Sequence, residues 1–141
     1  DRLSVSVALG SGAPNAASVT AKLKKMPFAR LLDDEAALAD RYGGFDLAIG
    51  APGVSQFERA CCGLASLLVP ENEKQTRLAE AWQRTGAAIC CTQDAAAVRQ
   101  TLAKLLDSPN EIENIRQRGL SLVDGQGAVR LASALKQRLS A

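Results

Sequence analysis

The sequence predicts an α/β fold in which helices cover both faces of a doubly wound parallel sheet. Short apolar runs of strand length alternate with stretches in which apolar residues recur every three or four positions. The chain has 141 residues, of which 47% are hydrophobic and 23% are charged, as in an ordinary globular protein. We therefore expect a single domain over residues 1–141.

The composition excludes several classes of function. The chain contains no histidine, so an imidazole base, a Ser-His or Cys-His pair and a histidine metal ligand are all absent from it. A net charge of +2 favours neither nucleic acid nor an anionic membrane as a partner. The apolar runs are far shorter than the ~20 residues that cross a bilayer. With no signal peptide at the start, we expect a cytoplasmic protein.

Two adjacent pairs contain all four cysteines, Cys61-Cys62 and Cys90-Cys91. Neighbouring residues point to different sides of a helix or strand, so their thiolates do not converge on one ion. We expect these side chains to be small buried hydrophobes in a reducing compartment, with a redox role as the alternative. The sequence predicts no metal site and no cofactor.

In the first third of the chain, a strand, a helix, a second strand and a second helix are predicted. Alternating Leu3, Val5, Val7 and Leu9 indicate a strand that ends at the turn 10–14. Helical spacing of Val19, Leu23 and Met26 predicts the first helix. A strand over 28–32 follows, and Asp33-Asp34 can cap a helix whose apolar side includes Ala36, Leu38 and Ala39.

The middle of the chain contains the clearest strand, Phe45 to Ile49, followed by a turn over 50–53. Ser55 and Glu58 match the S-x-x-E capping box, which predicts a helix that ends near Gly63. The next predicted strand runs from Ser66 to Val69.

The remaining elements are mostly helical. Leu78, Ala81 and Trp82 mark a helix closed by Gly86, before a strand from Ala87 to Cys91. Three further helices are marked by periodic apolar residues: Val98, Leu102 and Leu105; Ile112 and Ile115; and Leu131, Leu135 and Leu139. A glycine-containing loop, 124–127, precedes the last of them.

Ligands of such folds bind beyond the carboxyl ends of the strands, which directs attention to the loops 10–15, 50–55 and 70–76. In the first loop, backbone N–H groups of Gly10, Ser11 and Gly12 stand before a helix and suit a phosphate. A simple strand-to-helix turn explains them equally well. Asn15 occupies the position of the third glycine in a dinucleotide fingerprint, so the motif argues weakly for NAD.

The second loop combines a glycine, a hydroxyl and a helix N-terminus, in Gly53 and Ser55. Glu58 has two interpretations. It can complete the capping box, or its two oxygens can accept hydrogen bonds from vicinal hydroxyls of a ligand. The third loop is a polar run from Pro70 to Gln75, for which a solvated loop is the default and a ligand contact the alternative.

The segment from Asp46 to Pro70 reads DLAIGAPGVSQFERACCGLASLLVP, and residues 124–130 read DGQGAVR. Both resemble the UDP-sugar hydrolase family of pseudaminic acid biosynthesis, PseG, which shares the GT-B architecture of the glycosyltransferase MurG. The chain departs from the family pattern at Ala65, where the family has proline, and at Lys74, where it has asparagine. The family also has a strand and a helix that do not fit between Met26 and Phe28.

The resemblance implies that the chain is the Rossmann-like, C-terminal half of a GT-B enzyme, which binds the donor nucleotide. It implies that Glu58 contacts the ribose hydroxyls and that Ser55 and the adjacent amides of Gly53 and Val54 hold the diphosphate. Gln75 would lie near the ribose or sugar, and the turn of Gly10, Ser11 and Gly12 would line the cleft.

The reaction implied is hydrolysis of a UDP-linked 2,4-diacetamido-2,4,6-trideoxy sugar. The catalytic histidine would belong to an N-terminal domain of the same protein, so no catalytic residue is expected in this chain. Three alternatives remain: transfer of the sugar to an acceptor, a nucleotide-binding module without catalysis, and a dinucleotide-dependent oxidoreductase.

Overall fold

A computed structural model of the protein describes residues 3–10, 12–32 and 38–139. The chain divides into two compact units, residues 1–38 and 39–141. The strands within these ranges are all parallel, and they are hydrogen-bonded in two sheets, one of two strands and one of three. The predicted parallel α/β class is confirmed.

The first unit is a small strand–helix–strand motif. Strand β1, Val5–Ala8, pairs in parallel with β2, Ala29–Leu32, and helix α1, Ala16–Leu23, connects them. Helix α1 ends before Met26, which was predicted to continue it, because the chain turns there and the Met26 carbonyl accepts from the amide of Ala29 at the start of β2. Of the described residues of this unit, Leu32 is the buried hydrophobic one.

The helix predicted after β2 differs from the structure. Residues Leu38–Gly44 form a 3₁₀ helix, where an α-helix containing Leu38 and Ala39 was expected. Its two glycines, Gly43 and Gly44, disfavour longer α-helical structure. The predicted cap at Asp33-Asp34 and the position of Ala36 lie outside the described residues.

The second unit contains a sheet in the order β3–β4–β5: β3 is Leu47–Gly50, β4 is Ala65–Leu68 and β5 is Ile89–Cys90. Five helices accompany it: α2 (Val54–Cys61), α3 (Glu73–Thr85), α4 (Ala95–Leu106), α5 (Pro109–Leu122) and α6 (Gly127–Leu139). The central strand β4 is buried along its whole length, as expected when a sheet is covered on both faces.

Two apolar clusters lie on opposite faces of β4, since successive strand side chains alternate. Leu68 packs with Ala60, Ala79 and Trp82 from α2 and α3. Leu67 packs with Leu105 and Ile115 from α4 and α5. The predicted apolar faces of α4 and α5 are therefore confirmed as core, as are Leu78 and Trp82 on α3, whereas Ala81 lies outside both clusters.

Glycines end two of the helices as predicted. Gly63, just after α2, has a φ of +67°, and Gly86, which caps α3, has a φ of +72°. This left-handed conformation is strained for residues with a Cβ atom. Helix α6 forms as predicted, but Leu131, Leu135 and Leu139 on it are exposed. No helix in the described part of the chain is long and apolar enough to cross a membrane.

Candidate nucleotide-binding site

The carboxyl ends of the three strands of the second unit lie side by side. Gly50 at the end of β3 is in register with Leu68 at the end of β4, and the Val69 amide donates to the Gly50 carbonyl at 3.0 Å. The Cys91 amide after β5 donates to the Leu68 carbonyl at 3.0 Å. The turns that follow β3 and β4 therefore start from neighbouring points of one sheet edge, where ligands of parallel α/β folds bind.

The turn between β3 and α2 delivers the N-terminus of α2 to this edge. Gly53 is the N-cap residue, in an extended conformation, and its carbonyl accepts from the Gln56 amide at 3.0 Å. The amide of Gly53 itself donates to the Ala51 carbonyl at 2.9 Å, so it is already used. The N–H groups of the first two helical residues, Val54 and Ser55, have no partner within the helix and are the donors available to a ligand.

The capping box predicted from Ser55 and Glu58 is wrong. Helix α2 begins at Val54, so Ser55 is its second residue, and no side chain caps the helix. The extended backbone of Gly53 starts the helix two residues before the predicted cap. Glu58 is thereby freed from the structural role that its spacing suggested, and its side chain is exposed.

Glu58 lines an open cavity of about 990 Å³ that follows one face of α2, from Val54 in its first turn to Cys62 just after its end. Apolar side chains of α2 and α3 form much of its wall, among them Phe57 and Trp82, whose rings contact edge to face with centroids 4.9 Å apart. Ser55 is half-buried at the helix start. A carboxylate at the rim of an apolar cavity is suited to a ligand with both a hydroxyl pair and a flat apolar part.

Two buried polar side chains support the same turn, and the sequence interpretation missed both. Arg59 is 7% exposed and Gln56 is fully buried. The Arg59 Nη2 donates to the Ala51 carbonyl at 3.1 Å and to Gln56 Oε1 at 3.0 Å, and its Nε donates to Gln56 Oε1 at 3.1 Å. Gln56 lies three positions before Arg59 and four before buried Ala60, and this shared helix face was the available signal. Polar helix residues are, however, normally assigned to the solvent face.

The electrostatics of this region centre on Arg59. Burial lowers the pKa of its guanidinium, while the nearby Tyr42 hydroxyl and Glu58 carboxylate oppose that change. Burial raises the pKa of Tyr42, and the positive charge of Arg59 partly opposes this. Positive charge is thus held close to both the turn and the Glu58 carboxylate.

The third predicted loop is shorter than expected, because α3 begins at Glu73 and includes Gln75 in its first turn. Asn72 is the N-cap residue and its Oδ1 accepts from the Gln75 amide at 3.0 Å. The Gln75 side-chain oxygen in turn accepts from the Glu71 amide at 2.8 Å. The two hydrogen bonds give Gln75 a structural role at the start of α3, close to that of the glutamine in a capping box.

The glycine-rich turn after β1 belongs to the first unit. The Gly10 carbonyl accepts from the Ala13 amide at 3.0 Å, and open space surrounds the Cβ positions of Gly10 and Gly12. Ser11 lies outside the described residues. The structure thus brings Gly53, Val54, Ser55 and Glu58 together in the second unit.

The four cysteines are less buried than predicted. Cys62 is exposed and the other three are half-buried, because they lie at the ends of α2 and β5 rather than inside these elements. Partial burial and the neighbouring Cys61 and Glu58 raise the pKa of the Cys62 thiol, and burial raises those of Cys90 and Cys91. The described residues contain no group of three or more metal-ligating side chains.

An exposed ion pair near the start of α6 lines the same open cavity. Arg130 contacts Asp124 through two parallel hydrogen bonds of 2.6 and 3.1 Å, and the Gln126 amide donates to Asp124 Oδ1 at 3.0 Å. The hydrogen bonds from Arg130 and Gln126 lower the pKa of Asp124 to about 2. The pair fixes the loop 124–127, in which Gly125 has a φ of +71°.

Comparison with known proteins gives both a sequence relative and structural neighbours. No family model matches the chain. It is 26% identical over 132 residues to SpsG, the spore coat polysaccharide biosynthesis protein of Bacillus subtilis strain 168. The match covers 91% of this chain and 39% of SpsG, so the chain spans about two fifths of the length of that relative.

Among solved structures, MurG from Acinetobacter baumannii matches with a TM-score of 0.75 and 18% identity, over 97% of this chain and 42% of MurG. The spinosyn forosaminyltransferase SpnP matches with a TM-score of 0.61 and 19% identity, over 94% of this chain and 34% of SpnP. The chain therefore has the parallel α/β architecture of GT-B glycosyltransferases, and its sequence is similar to that of a protein of polysaccharide biosynthesis.

Proposed function

We propose that this chain is the part of a cytoplasmic enzyme of polysaccharide biosynthesis that binds the nucleotide of a UDP-linked sugar. The observation that carries the proposal is the position of the exposed Glu58 carboxylate, which lines a large cavity one turn after the open amides at the start of α2. One helix thus provides both carboxylate oxygens that can accept hydrogen bonds from hydroxyls and N–H groups that can donate hydrogen bonds to an anion. A nucleoside diphosphate requires both.

The diphosphate is assigned to the N-terminus of α2. The N–H groups of Val54 and Ser55 and the half-buried Ser55 hydroxyl are the donors there, and the helix dipole favours negative charge at this end. Gly53 leaves room for close approach, because nothing lies within 4 Å of its Cβ position. The amide of Gly53, which was expected to join these donors, is bonded to Ala51 instead.

The nucleoside is assigned to the cavity. Two oxygens of the Glu58 carboxylate can accept from the two vicinal ribose hydroxyls, while the apolar wall offers contact surface to a flat base. Gln75, which the family resemblance places near the ribose or sugar, has its side-chain oxygen bonded to Glu71. Its role toward a ligand, like that of the turn at Gly10, Ser11 and Gly12, stays a prediction.

The reaction we propose is hydrolysis of a UDP-linked 2,4-diacetamido-2,4,6-trideoxy sugar. Water attacks the anomeric carbon, the bond from that carbon to the β-phosphate oxygen breaks, and UDP leaves with the bonding electron pair. The role of this chain in the reaction is to bind the diphosphate of the leaving UDP. The amides at the start of α2 stabilise the negative charge that develops on it. The base that takes the proton from water is assigned to a further domain of the protein, since this chain has no histidine.

Transfer of the sugar to an acceptor is the second candidate reaction. It is supported by the structural similarity to the forosaminyltransferase SpnP and to MurG. Hydrolysis and transfer use the same nucleotide-binding half and differ in what attacks the anomeric carbon. Incubation of the whole protein with the UDP-sugar separates them, because UDP release without any acceptor supports hydrolysis and strict dependence on an acceptor supports transfer.

Calorimetric titration of the chain with UDP, CMP, ADP and NADH tests the binding proposal. We expect UDP to bind at least about tenfold more tightly than the other three, because the proposed function requires the cavity to accept uracil and the start of α2 to accept a diphosphate. Equal affinity for all nucleotides would support an unspecific module, and preferential binding of NADH would support a dinucleotide-dependent enzyme. Absence of UDP binding by the folded chain would contradict the proposed function.

A further inference from the structure

Arg59 lies beneath the turn that precedes α2 and holds it from inside. Its side chain starts on the second turn of α2 and reaches back to the Ala51 carbonyl, a distance of eight residues along the chain. Gln56 provides the other acceptor and is itself fully buried. One planar guanidinium therefore bonds both Gln56, in the first turn of α2, and the Ala51 carbonyl, in the turn before the helix, and so ties the helix to that turn.

The space around this guanidinium is closely fitted. A Cβ atom built on Gly50, the last residue of β3, would lie 3.1 Å from Arg59 Nη1. That distance is tighter than nine in ten real Cβ contacts, so the guanidinium would have to move by a few tenths of an ångström. The glycine at the end of β3 is thus matched to the arginine, and the end of the strand, the turn and α2 form one interlocked group.

This arrangement is costly for a purely structural contact. Gln56 Nε2 is buried and has no hydrogen-bond partner among the described residues. No carboxylate of the described residues lies within 4.0 Å of the guanidinium. Apolar residues would fill a buried site without either cost. Polar groups that are kept at such cost are found more often where a site must be held in one geometry.

We propose that Arg59 is a positioning residue for the diphosphate. By fixing the Ala51 carbonyl, which also accepts from the Gly53 amide, it sets the direction in which the Val54 and Ser55 amides point. This inference rests on the proposed function, in which those two amides bind the diphosphate. It assigns to Arg59 an effect on phosphate binding that acts through the turn.

Two variants, Arg59→Met and Arg59→Lys, test the proposal when each is titrated with UDP and with uridine. We expect UDP affinity to fall by about tenfold in both, because methionine has no N–H donor, and the lysine ammonium lies one bond nearer the backbone than Nη2 and lacks the second donor at Nε. Uridine affinity should change less than about twofold, since uridine has no phosphate. Thermal unfolding of each variant shows whether it remains folded at the temperature of the titration.

A third variant, Gly50→Ala, displaces the guanidinium without removing it. We expect it to weaken UDP binding in the wild-type background and to have little further effect in Arg59→Met, so that the two changes are non-additive. Gly43→Ala is the matched control, because nothing lies within 4 Å of that Cβ position.

Wild-type UDP affinity in Arg59→Lys, equal losses for uridine and UDP, or additive effects of Gly50→Ala and Arg59→Met would each overturn the positioning role while the proposed function stands. Failure of the wild-type chain to bind UDP would overturn the proposed function and this inference together.

Discussion

Two strand-to-helix turns of this molecule have the same topology but different support. The turn after β1 is held by a backbone hydrogen bond from Ala13 to Gly10, and Asn15 precedes α1 without a side-chain cap. The turn after β3 is held from below by the buried Arg59 guanidinium. Parallel α/β topology thus decides where such turns lie, and among the described residues a buried polar side chain supports the second of them.

The elements around the second turn are also more deeply buried than those around the first. In the first unit, α1 contributes no buried residue and Leu32 is the buried hydrophobic one among those described. In the second unit, β4 is wholly buried between helices on both faces. A well-packed sheet edge provides the rigid base that a binding site requires. We therefore expect the second unit to tolerate core changes less well than the first.

The largest contrast is expected from Leu68→Ala and Val7→Ala. Leu68 is fully buried in the cluster between β4, α2 and α3, so its truncation should lower the free energy of unfolding by about 2–5 kcal/mol. Val7 is half-buried in β1, and its truncation should cost about 1 kcal/mol or less. Denaturant unfolding of both variants measures the difference. Equal losses would show that the two units are packed equally well.

A smaller contrast is expected between two asparagines at helix N-caps. Asn72→Ala removes the side-chain hydrogen bond to the Gln75 amide and should cost about 1 kcal/mol in the free energy of unfolding. Asn15→Ala should cost about 0.5 kcal/mol or less, because Asn15 makes no such bond to α1. The same unfolding experiment compares them. A larger loss for Asn15 would contradict the structure of the first turn.

The smallest effect is expected from the exposed pair Asp124–Arg130. Because the pKa of Asp124 is lowered to about 2 in the folded chain, its stabilising contribution is present above the ordinary value of 3.8 and is lost as pH falls toward about 2. Salt should weaken it further, since both side chains are exposed. Carboxyl chemical shifts of Asp124 measure the titration, with Arg130→Gln as the control. An Asp124 pKa near 3.8 in the wild-type chain would refute the paired geometry.

The fold was largely predictable because its determinants are local. Alternating apolar runs, helical spacing and the glycines at positions 63 and 86 identified the strands and helix ends. Strand boundaries were less accurate: β1 was predicted to include Leu3 and Leu9, whereas its pairing with β2 extends over four residues on each strand. The length of a strand depends on its partner, which local spacing does not encode.

The turn between β3 and α2, which contains the candidate site, was predictable in position, and its local hydrogen bonding was less so. The S-x-x-E spacing predicted a cap at Ser55, but the backbone of Gly53 starts the helix instead. The side-chain cap that does form is at Asn72, which accepts from the Gln75 amide, and the Gln75 side chain accepts from the Glu71 amide, all inside a run predicted to be a loop. Arg59 and Gln56 were missed because burial of a polar residue depends on tertiary packing, which spacing along one helix does not reveal.

The most direct test of the account compares UDP with 2′-deoxy-UDP as ligands of the wild-type chain and of Glu58→Ala. If the Glu58 carboxylate binds the ribose hydroxyls, the wild type should prefer UDP by about tenfold, and Glu58→Ala should lose that preference. Glu111→Ala, an exposed acidic residue on α5, is the control and should keep it. An equal preference in the wild type and in Glu58→Ala would contradict the central claim that Glu58 recognises the nucleotide.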